Sequence, residues 1–293
     1  MTTQAPVFQD PDLASPKASQ MMQVAPGIGR ITGFFPDQVQ AIQTMRQGGV
    51  SRPPYDQLNF GHHVGDDPQA VQRNRDYLRQ TVDADLVWLD QVHGSRVVAH
   101  PTASVGLADC RADAIFANER GRACLVMTAD CLPILIARPD QQQAAAVHAG
   151  WRGLSDGVIE AALDRLVQDA PCTEGPDEWW IWLGPAIGPA AFEVGDEVRA
   201  TFIARDSASA AAFMPKQDRP GKWLADLGLL ARLRLQSWFT DFRSRRSVAQ
   251  PLAGPVVLHV AQQNDCVFSM PERYFSYRRD HVTGRMASLI SLI

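Results

Sequence analysis

The stretch AAAVHAGWRGLSDGVIEAAL, residues 144–163, places an apolar run, a glycine-bounded turn and a helical pattern in immediate succession. The small apolar residues AAAV predict a buried strand that ends at a histidine. After the turn HAGWRG (148–153), apolar residues recur at helical spacing, so a helix is predicted to begin near Leu154 or Ser155. A strand that passes directly into a helix is typical of an α/β fold.

The same alternation of strands and helices extends along the chain in both directions. Residues 66–80 begin with aspartate and place Pro68 in the first turn, which predicts a helix. Further elements are predicted at 85–100 (two short strands joined near Gly94), 112–140 (strands), 178–189 (strand), 223–239 (helix) and 256–262 (strand). With no internal repeat or linker, we predict one α/β domain over 26–293, preceded by a flexible leader over 1–25 that is rich in Pro, Gln, Ser and Asp.

Composition limits the functions that the chain can have. It has 293 residues and a net charge of −4, which gives no general attraction to nucleic acid or to an anionic membrane. The five cysteines are an odd number and widely spaced, which argues against a disulfide framework and for a reducing compartment. The N-terminus does not resemble a secretory signal, and the apolar runs are too short to span a bilayer. We therefore expect a cytoplasmic protein. Its oligomeric state, monomer or homodimer, is left open by the sequence.

Two histidines and one cysteine lie at predicted strand ends. His93 and His148 each sit where an apolar strand meets a glycine, and Cys131 interrupts an apolar run after the polar TAD. Zinc binds thiolate sulfur and imidazole nitrogen, and a catalytic zinc takes three protein ligands. Strand ends from separate parts of an α/β chain can meet at one edge of a sheet. The spacing matches no local zinc-finger pattern, so a structural role for each residue stays open at this point.

Neighbouring residues could complete such a site. The glycines of HAGWRG permit unusual backbone angles and close approach, and Arg152 would stand beside an anion at the start of the following helix. Asp130 could orient a ligand imidazole or accept a proton, or it could only form a turn. In NFGHHVGDD (59–67), adjacent histidines in extended chain point to opposite faces, so at most one of them would face a site.

Six blocks of the sequence together resemble the YfiH family, whose members have been described both as multicopper polyphenol oxidases and as purine nucleoside phosphorylases. The blocks run from about residue 28 to the C-terminus: NFGHHVGDDPQAVQRNR, DQVHGSRVV, TADCLPILIA, AAAVHAGWRGLSDGVIEAAL, WLGPAIGPAAFEVGDEV and FSYRRDHVTGRMASLI. The resemblance implies one α/β domain with two mixed β-sheets between helical layers. It also implies that His93, Cys131 and His148 are the metal ligands.

The activity that the resemblance implies is phosphorolysis of adenosine, inosine and 5′-methylthioadenosine to base and ribose 1-phosphate, with adenosine deamination, at a zinc site. Asp130 and His63 are the candidate acid/base residues, and Arg152 is assigned to the catalytic set. Phosphate needs positive or polar donors, and the matched blocks supply them. The candidates for substrate and phosphate binding are Asn59, Arg75, Arg278 and Arg279.

Two alternatives remain beside the zinc enzyme. A copper polyphenol oxidase would use Cu²⁺ on the same ligands, with Met127 as a weak ligand. Laccase chemistry also needs a histidine-rich cluster, however, and only five of the seven histidines remain outside the candidate ligand set. A Cys–His hydrolase acting on peptidoglycan precursors would use Cys131 as a nucleophile activated by His148, which leaves His93 without a role.

Overall fold

Two large mixed sheets and one small sheet form the strand framework of the computed structural model, which describes residues 10–82, 84–101, 110–169, 176–249 and 254–293. Within these residues the strands are β1 (Lys17–Ala18), β2 (Gln20–Ala25), β3 (Ile28–Thr32), β4 (Val39–Thr44), β5 (Asp85–Leu86), β6 (Val97–Ala99), β7 (Ala114–Ala117), β8 (Arg122–Thr128), β9 (Leu132–Arg138), β10 (Gln143–Ala149), β11 (Asp177–Leu183), β12 (Glu193–Gly195), β13 (Phe213–Pro215), β14 (Lys222–Ala225), β15 (Val256–Gln262) and β16 (Met286–Leu292).

Helices connect and cover these strands. In the described residues they are α1 (Pro11–Ala14), α2 (Pro68–Thr81), α3 (Trp151–Asp156), α4 (Val158–Gln168), α5 (Asp196–Arg205), α6 (Leu227–Ala249) and α7 (Tyr277–Asp280), with 3₁₀ turns at His62–Val64, Pro139–Gln141 and Ser207–Ala212. None of the helices in this part of the chain combines the length and the apolar character that crossing a bilayer would require.

The strand order defines how the two large sheets are built. The seven-stranded sheet has the order β1-β15-β11-β9-β10-β7-β6, and the six-stranded sheet has the order β2-β3-β4-β16-β8-β5. β9, β10 and β7 are antiparallel neighbours, whereas β6 runs parallel to β7 and β15 runs parallel to β11. The remaining sheet has the order β12-β14-β13. Both large sheets are therefore mixed.

The apolar run that ends in HAGWRG is buried because β10 is covered on both faces. Ala145 and Val147 belong to the core cluster that contains α4 and α6, whereas Ala144 and Ala146 belong to the cluster between the two sheets. On the far side, α2 packs through Leu78 against the six-stranded sheet. Strands covered on both faces form continuous apolar runs rather than alternating ones. The predicted fold, with two mixed sheets between helical layers, is confirmed.

Local signals explain most element boundaries. The helix predicted over 66–80 is α2, in which Asp67 caps the first turn by accepting from the amide of Gln69 at 2.9 Å and Pro68 occupies the first position. The helix predicted to begin near Leu154 begins at Trp151 instead, so that expectation was wrong by one turn. Gly157, with φ of 95°, ends α3 and separates it from α4. Only glycine adopts such an angle without strain.

Two other boundaries differ from the sequence prediction. The helix expected over 223–239 begins at Leu227, because Lys222–Ala225 pairs into the small sheet and Asp226 caps the helix by accepting from the amide of Leu229 at 2.9 Å. The two short strands expected in 85–100 exist but form no hairpin. β5 joins the six-stranded sheet and β6 joins the seven-stranded sheet. The chain between them crosses from one layer to the other.

Residues 10–25, which composition places in a flexible leader, belong to the fold. Leu13 of α1 is fully buried in the main core, and Asp10 caps α1 and pairs with Arg243 at 2.9 Å. β1 extends the seven-stranded sheet, and β2 extends the six-stranded sheet. The leader prediction was therefore wrong for these residues, because one buried leucine and strand pairing outweigh their polar composition. Residues 1–9 of the predicted leader lie outside the described residues.

Candidate metal centre

Sheet topology brings three strand ends to one edge of the seven-stranded sheet. β10 runs antiparallel to both neighbours, so its C-terminal end lies beside the N-terminal ends of β7 and β9. His148 is the penultimate residue of β10 and pairs in register with Pro133 of β9. Cys131 directly precedes β9, and Asp113 directly precedes β7. These side chains are therefore neighbours although they are far apart in sequence.

The loop between β5 and β6 supplies the third candidate ligand. His93 adopts a positive φ of 61° in this loop, and its Nε2 lies 3.8 Å from Sγ of Cys131. The imidazole rings of His93 and His148 approach edge to face with centroids 4.8 Å apart. One ligand atom from each of the three residues lies within 4.8 Å of the others. The structure thus brings together the three residues that the sequence singled out as metal ligands.

Asp113, which sequence reasoning missed, orients this cluster. Its Oδ1 accepts from Nδ1 of His148 at 2.8 Å and from the amide of His93 at 2.8 Å, and its Oδ2 accepts from the amide of Gly94 at 2.7 Å. The side chain is fully buried. A carboxylate that holds Nδ1 of a histidine leaves Nε2 for a metal and fixes the ring. An acid directly before the apolar strand AIFA was the available sequence signal.

The cluster favours a thiolate at Cys131. Burial acts to raise the pKa of this thiol, but the charge of His148 and the contacts with both imidazoles outweigh burial and lower the pKa to about 6. Burial likewise acts to lower the pKa of His148, but the Cys131 thiolate and Asp113 raise it to about 9. The thiolate is the form of cysteine that binds a metal or attacks an electrophile. Metal binding would release the proton from the imidazole.

Gly150 allows the cluster to close. Its backbone is extended, with φ of −68°, so no special backbone angle requires glycine here. A Cβ at this position would lie 2.9 Å from Sγ of Cys131 and 2.9 Å from Cδ2 of His93. For Gly150, the expectation of an unusual backbone angle was therefore wrong, whereas the expectation of close approach is confirmed.

The three candidate ligands line a cavity of about 520 Å³. Three aromatic side chains, Trp151, Phe192 and Tyr277, also line it, together with Met127, the sequence candidate for a weak copper ligand. Gln91 holds Met127 in place through paired hydrogen bonds to its backbone, with distances of 2.7 and 2.8 Å. A cavity with apolar walls and a few convergent polar groups is typical of a small-molecule site.

Asp130 lies in this cavity and is held by residues at the start of α7. Its Oδ1 accepts from the hydroxyl of Ser276 at 2.6 Å, and its Oδ2 accepts from the amide of Arg278 at 2.6 Å. The residue has a φ of 101°, a strained angle for an aspartate. Burial raises the pKa of this carboxyl, although both hydrogen bonds act to lower it. The geometry fixes one carboxylate beside the candidate metal ligands.

Three more of the sequence candidates line the cavity. His63 enters from the 3₁₀ turn that follows the loop after β4, and burial, followed by the charge of Arg285, lowers its pKa. Arg152 lies on α3 with its guanidinium 4.5 Å from the Trp151 ring. Arg278 lies on α7 and donates from Nη1 to the backbone oxygen of Glu193 at 2.8 Å.

The structure does not bring the other three candidates into the cavity lining. Asn59 is fully buried and accepts from the amides of Gly61 and Arg285 at 2.9 and 2.8 Å. Arg75 donates twice to the backbone oxygen of Phe60, at 2.8 and 3.0 Å. The guanidinium of Arg279 donates hydrogen bonds to the backbone oxygens of residues 267, 268 and 274. All three hold loops in place beside the cavity.

Arg285 lines the cavity but was not among the sequence candidates. It directly precedes the buried strand β16, and its charge acts on Cys131, Asp130 and Tyr277. The sequence signal was available, because this arginine stands in the matched block FSYRRDHVTGRMASLI. It was missed because phosphate binding was assigned to the adjacent pair Arg278 and Arg279 of the same block.

The fold and the site together define an α/β protein with a His₂Cys candidate metal centre at one edge of a sheet. Residues 40–293 match the sequence model of the family described as multi-copper polyphenol oxidoreductase laccase, and the chain belongs to this family.

Comparison with known proteins confirms the resemblance to YfiH proteins. The protein named purine nucleoside phosphorylase from Pseudomonas aeruginosa is 44% identical over 257 residues, 88% of this chain and 95% of that protein. Purine nucleoside phosphorylase YfiH from Escherichia coli K12 is 44% identical over 263 residues, 88% of this chain and 96% of that protein.

Solved structures show the same fold. A Neisseria meningitidis protein superimposes with a TM-score of 0.72 at 36% identity, covering 94% of this chain and 99% of its own. The Bacillus licheniformis hypothetical protein YfiH gives a TM-score of 0.76 at 25% identity, covering 93% of this chain and 99% of its own.

Proposed function

We propose that this protein is a zinc-dependent purine nucleoside phosphorylase that also deaminates adenosine. Its substrates are adenosine, inosine or 5′-methylthioadenosine together with inorganic phosphate. The names of the relatives support the phosphorylase activity. The observation that carries the proposal is the convergence of His93, Cys131 and His148 on a cavity that also presents arginines and aromatic rings. The four free cysteines among the described residues agree with a reducing, cytoplasmic location.

The residues present fit zinc. Two imidazoles and a thiolate, with a carboxylate behind His148, match the ligand types and the supporting hydrogen bond of catalytic zinc sites. A structural zinc takes four protein ligands, and the described residues supply three here. When bound, the ion supplies Lewis acidity. Copper is the alternative ion for the same donors, and elemental analysis of the purified protein separates the two.

In phosphorolysis, a phosphate oxygen forms a bond to the ribose C1′ while the bond from C1′ to the purine nitrogen breaks. The electron pair goes to the base, which needs a proton as it leaves. We assign phosphate binding to Arg152 and Arg278, which line the cavity, and proton transfer to His63 or Asp130. Trp151, Phe192 and Tyr277 offer apolar faces against which a purine can stack.

Adenosine deamination uses the same cavity differently. A water oxygen adds to C6 of the purine, a proton passes to the amino group, and ammonia leaves. Asp130 is the assigned proton carrier for this reaction, because both of its oxygens are oriented in the cavity beside the candidate ligands. His63 is the second candidate for this transfer, since it is exposed and lines the same cavity, and its lowered pKa favours the neutral form that accepts a proton.

The test is a product assay with metal-quantified protein. Incubation with adenosine and phosphate should yield adenine, ribose 1-phosphate and inosine, and a His148→Ala variant should lose both zinc and product. If no purine nucleoside gives any product, the enzyme assignment fails. If His148→Ala keeps full zinc and full activity, the ligand assignment fails.

One observation favours a second function. The thiol of Cys131 has its pKa lowered to about 6 by two imidazoles, which is the arrangement of a cysteine nucleophile activated by histidine. Such a Cys–His hydrolase could act on peptidoglycan precursors. Purified protein that contains no zinc, yet is inactivated by alkylation of Cys131, would favour this function over the zinc enzyme.

A further inference from the structure

One arginine in the cavity forms no direct ion pair with any of the described residues. Arg285 is partly buried, and its Nη1 donates to the backbone oxygens of Thr283 and Gly284 at 3.0 and 3.1 Å. Among the described residues, no carboxylate forms an ion pair with this guanidinium, and Nε and Nη2 have no protein acceptor. Unpaired donors on a partly buried guanidinium are unfavourable, so such an arrangement points to an anionic ligand that pairs with them.

Burial has a larger effect on the pKa of Arg285 than the negative charges of its neighbours have. Burial lowers the pKa of Arg285, and the opposing charges of Cys131 and Asp130 do not offset that effect. Asp130 cannot move to pair with Arg285 without breaking its two short hydrogen bonds to Ser276 and Arg278. A metal ion bound by Cys131 would offset the negative charge of its thiolate.

The surrounding loops hold Arg285 in position from its backbone. Its amide donates to Oδ1 of Asn59 at 2.8 Å, and its carbonyl accepts from the amide of Phe60 at 3.2 Å. Arg75 in turn holds the carbonyl of Phe60. Two polar residues that the sequence placed in phosphate binding therefore position the strand end that carries Arg285, and the guanidinium itself faces the cavity.

The other arginines that line the cavity differ from Arg285 in burial. Arg152 and Arg278 are both exposed, whereas Arg285 is partly buried. Arg285 combines burial, free donors and proximity to the candidate metal ligands. A planar fork of donors in this setting matches a tetrahedral oxyanion.

We propose that Arg285 is the principal phosphate-binding residue of the site and that it places the phosphate against the nucleoside beside the His93–Cys131–His148 cluster. This inference rests on the proposed phosphorylase function for its substrate. The binding of inorganic phosphate alone, however, can be measured without turnover.

The test compares phosphate affinity in the zinc-loaded wild type, Arg285→Gln and Arg46→Gln. Titration calorimetry with inorganic phosphate should show binding weakened by about 10- to 100-fold in R285Q, the range expected for loss of charged hydrogen bonds. Zinc content should be unchanged. Arg46 is a matched control, because it is also partly buried but is paired with Asp56 at 3.3 Å in a different surface pocket.

Each result decides the inference. Equal phosphate affinity in R285Q and the wild type overturns it, as does an equal loss in R46Q or a wild type that binds no phosphate. If phosphate binds through Arg285 but no nucleoside is cleaved, the residue assignment stands and the phosphorylase function fails. If R285Q does not fold, a crystal structure of the wild type grown in phosphate decides: phosphate bonded to Arg285 supports the inference, and phosphate held elsewhere overturns it.

Discussion

At the scale of single residues, the site depends on side chains that do not themselves reach the cavity centre. Asp113 ties together the backbone of the His93 loop and the ring of His148, so one carboxylate fixes two candidate ligands. Gly150 provides the space in which Cys131 and His93 approach each other. Both residues can be tested with substitutions that leave all three candidate ligands in place.

An Asp113→Asn substitution should weaken zinc binding by about 10- to 100-fold, the range seen when the group that orients a ligand histidine is lost. In the wild type, both oxygens of Asp113 accept hydrogen bonds from backbone amides or from the His148 ring. The asparagine amide keeps one oxygen acceptor but places an NH₂ group where the second oxygen was, so that a donor faces a donor. Competition with a chromogenic chelator measures the affinity. Asp90→Asn, at an exposed acid 3.8 Å from Arg111, is the control and should bind zinc normally. Normal zinc affinity in D113N would contradict the orienting role.

A Gly150→Ala substitution should reduce zinc affinity and activity at least about tenfold, since a 1 Å displacement in a site can cost 100-fold. The added methyl would lie 2.9 Å from Cys131 and His93, and one of them must move. Gly94→Ala is the matched control, because its methyl would meet only Oδ2 of Asp113, at 3.6 Å, and a side chain of Val92, at 3.8 Å. Chelator competition and the product assay apply to both variants. Equal zinc affinity in the two would show that Gly150 is not needed for space.

At the scale of elements, an interior ion cluster joins a strand pair to the longest described helix. Asp177, at the start of β11, accepts from Nη2 of Arg138 on β9 at 2.8 Å and also pairs with Arg246 on α6. Arg138 lies over the Trp179 ring at 4.1 Å. The side chains of Asp177 and Arg138 are almost fully buried, and the cluster lies at the opposite end of β9 from Cys131.

An Asp177→Ala substitution should lower the free energy of unfolding by about 3–5 kcal/mol, because it leaves buried arginine charge without a partner. Urea denaturation measures the change. Asp241→Ala removes an exposed pair on the same helix, in which Arg245 lies 3.0 Å away, and should cost less than about 1 kcal/mol. The zinc affinity of folded D177A should stay normal, since the cluster does not line the cavity. A stability equal to that of D241A would argue against the cluster's structural role.

At the scale of the whole molecule, the candidate centre lies where several layers meet. Its candidate ligands come from the seven-stranded sheet and from the loop that crosses between sheets, and Asp130 is held by Ser276 and Arg278 at the start of α7. Ion binding at this candidate centre would therefore join segments that are remote in sequence. Such binding should stabilise the native state, because the unfolded chain has no preformed site.

Removal of zinc with a chelator should lower the melting temperature and abolish product formation, and added zinc should restore both. With free zinc at 100 times its Kd, the stabilisation is about 2.7 kcal/mol, which corresponds to roughly 5–10 °C. Scanning calorimetry of apo and zinc-loaded protein measures the shift. His148→Ala is the control and should show no zinc-dependent shift. If the melting temperature of the wild type does not change when zinc is added or removed, this result would contradict a native zinc site.

Local patterns in the sequence were sufficient for most elements. The run AAAV predicted β10, and Asp67 with Pro68 predicted the start of α2, because strand burial and helix capping depend on residues close in sequence. The leader was mispredicted because pairing of β1 and β2 with distant strands depends on the whole sheet. The start of α6 was misplaced for the same reason, since β14 pairs into the small sheet.

The sequence by itself determined the α/β class, the family and the identity of His93, Cys131 and His148 as chemically capable residues. Only the tertiary structure decided that these side chains meet, that Asp113 orients them, and that Arg285 rather than Arg75 or Arg279 faces the cavity. The physical reason is that residue type and periodicity are local properties. Convergence instead depends on the register of β10 between β7 and β9 and on which guanidinium groups the surrounding loops place in the cavity lining.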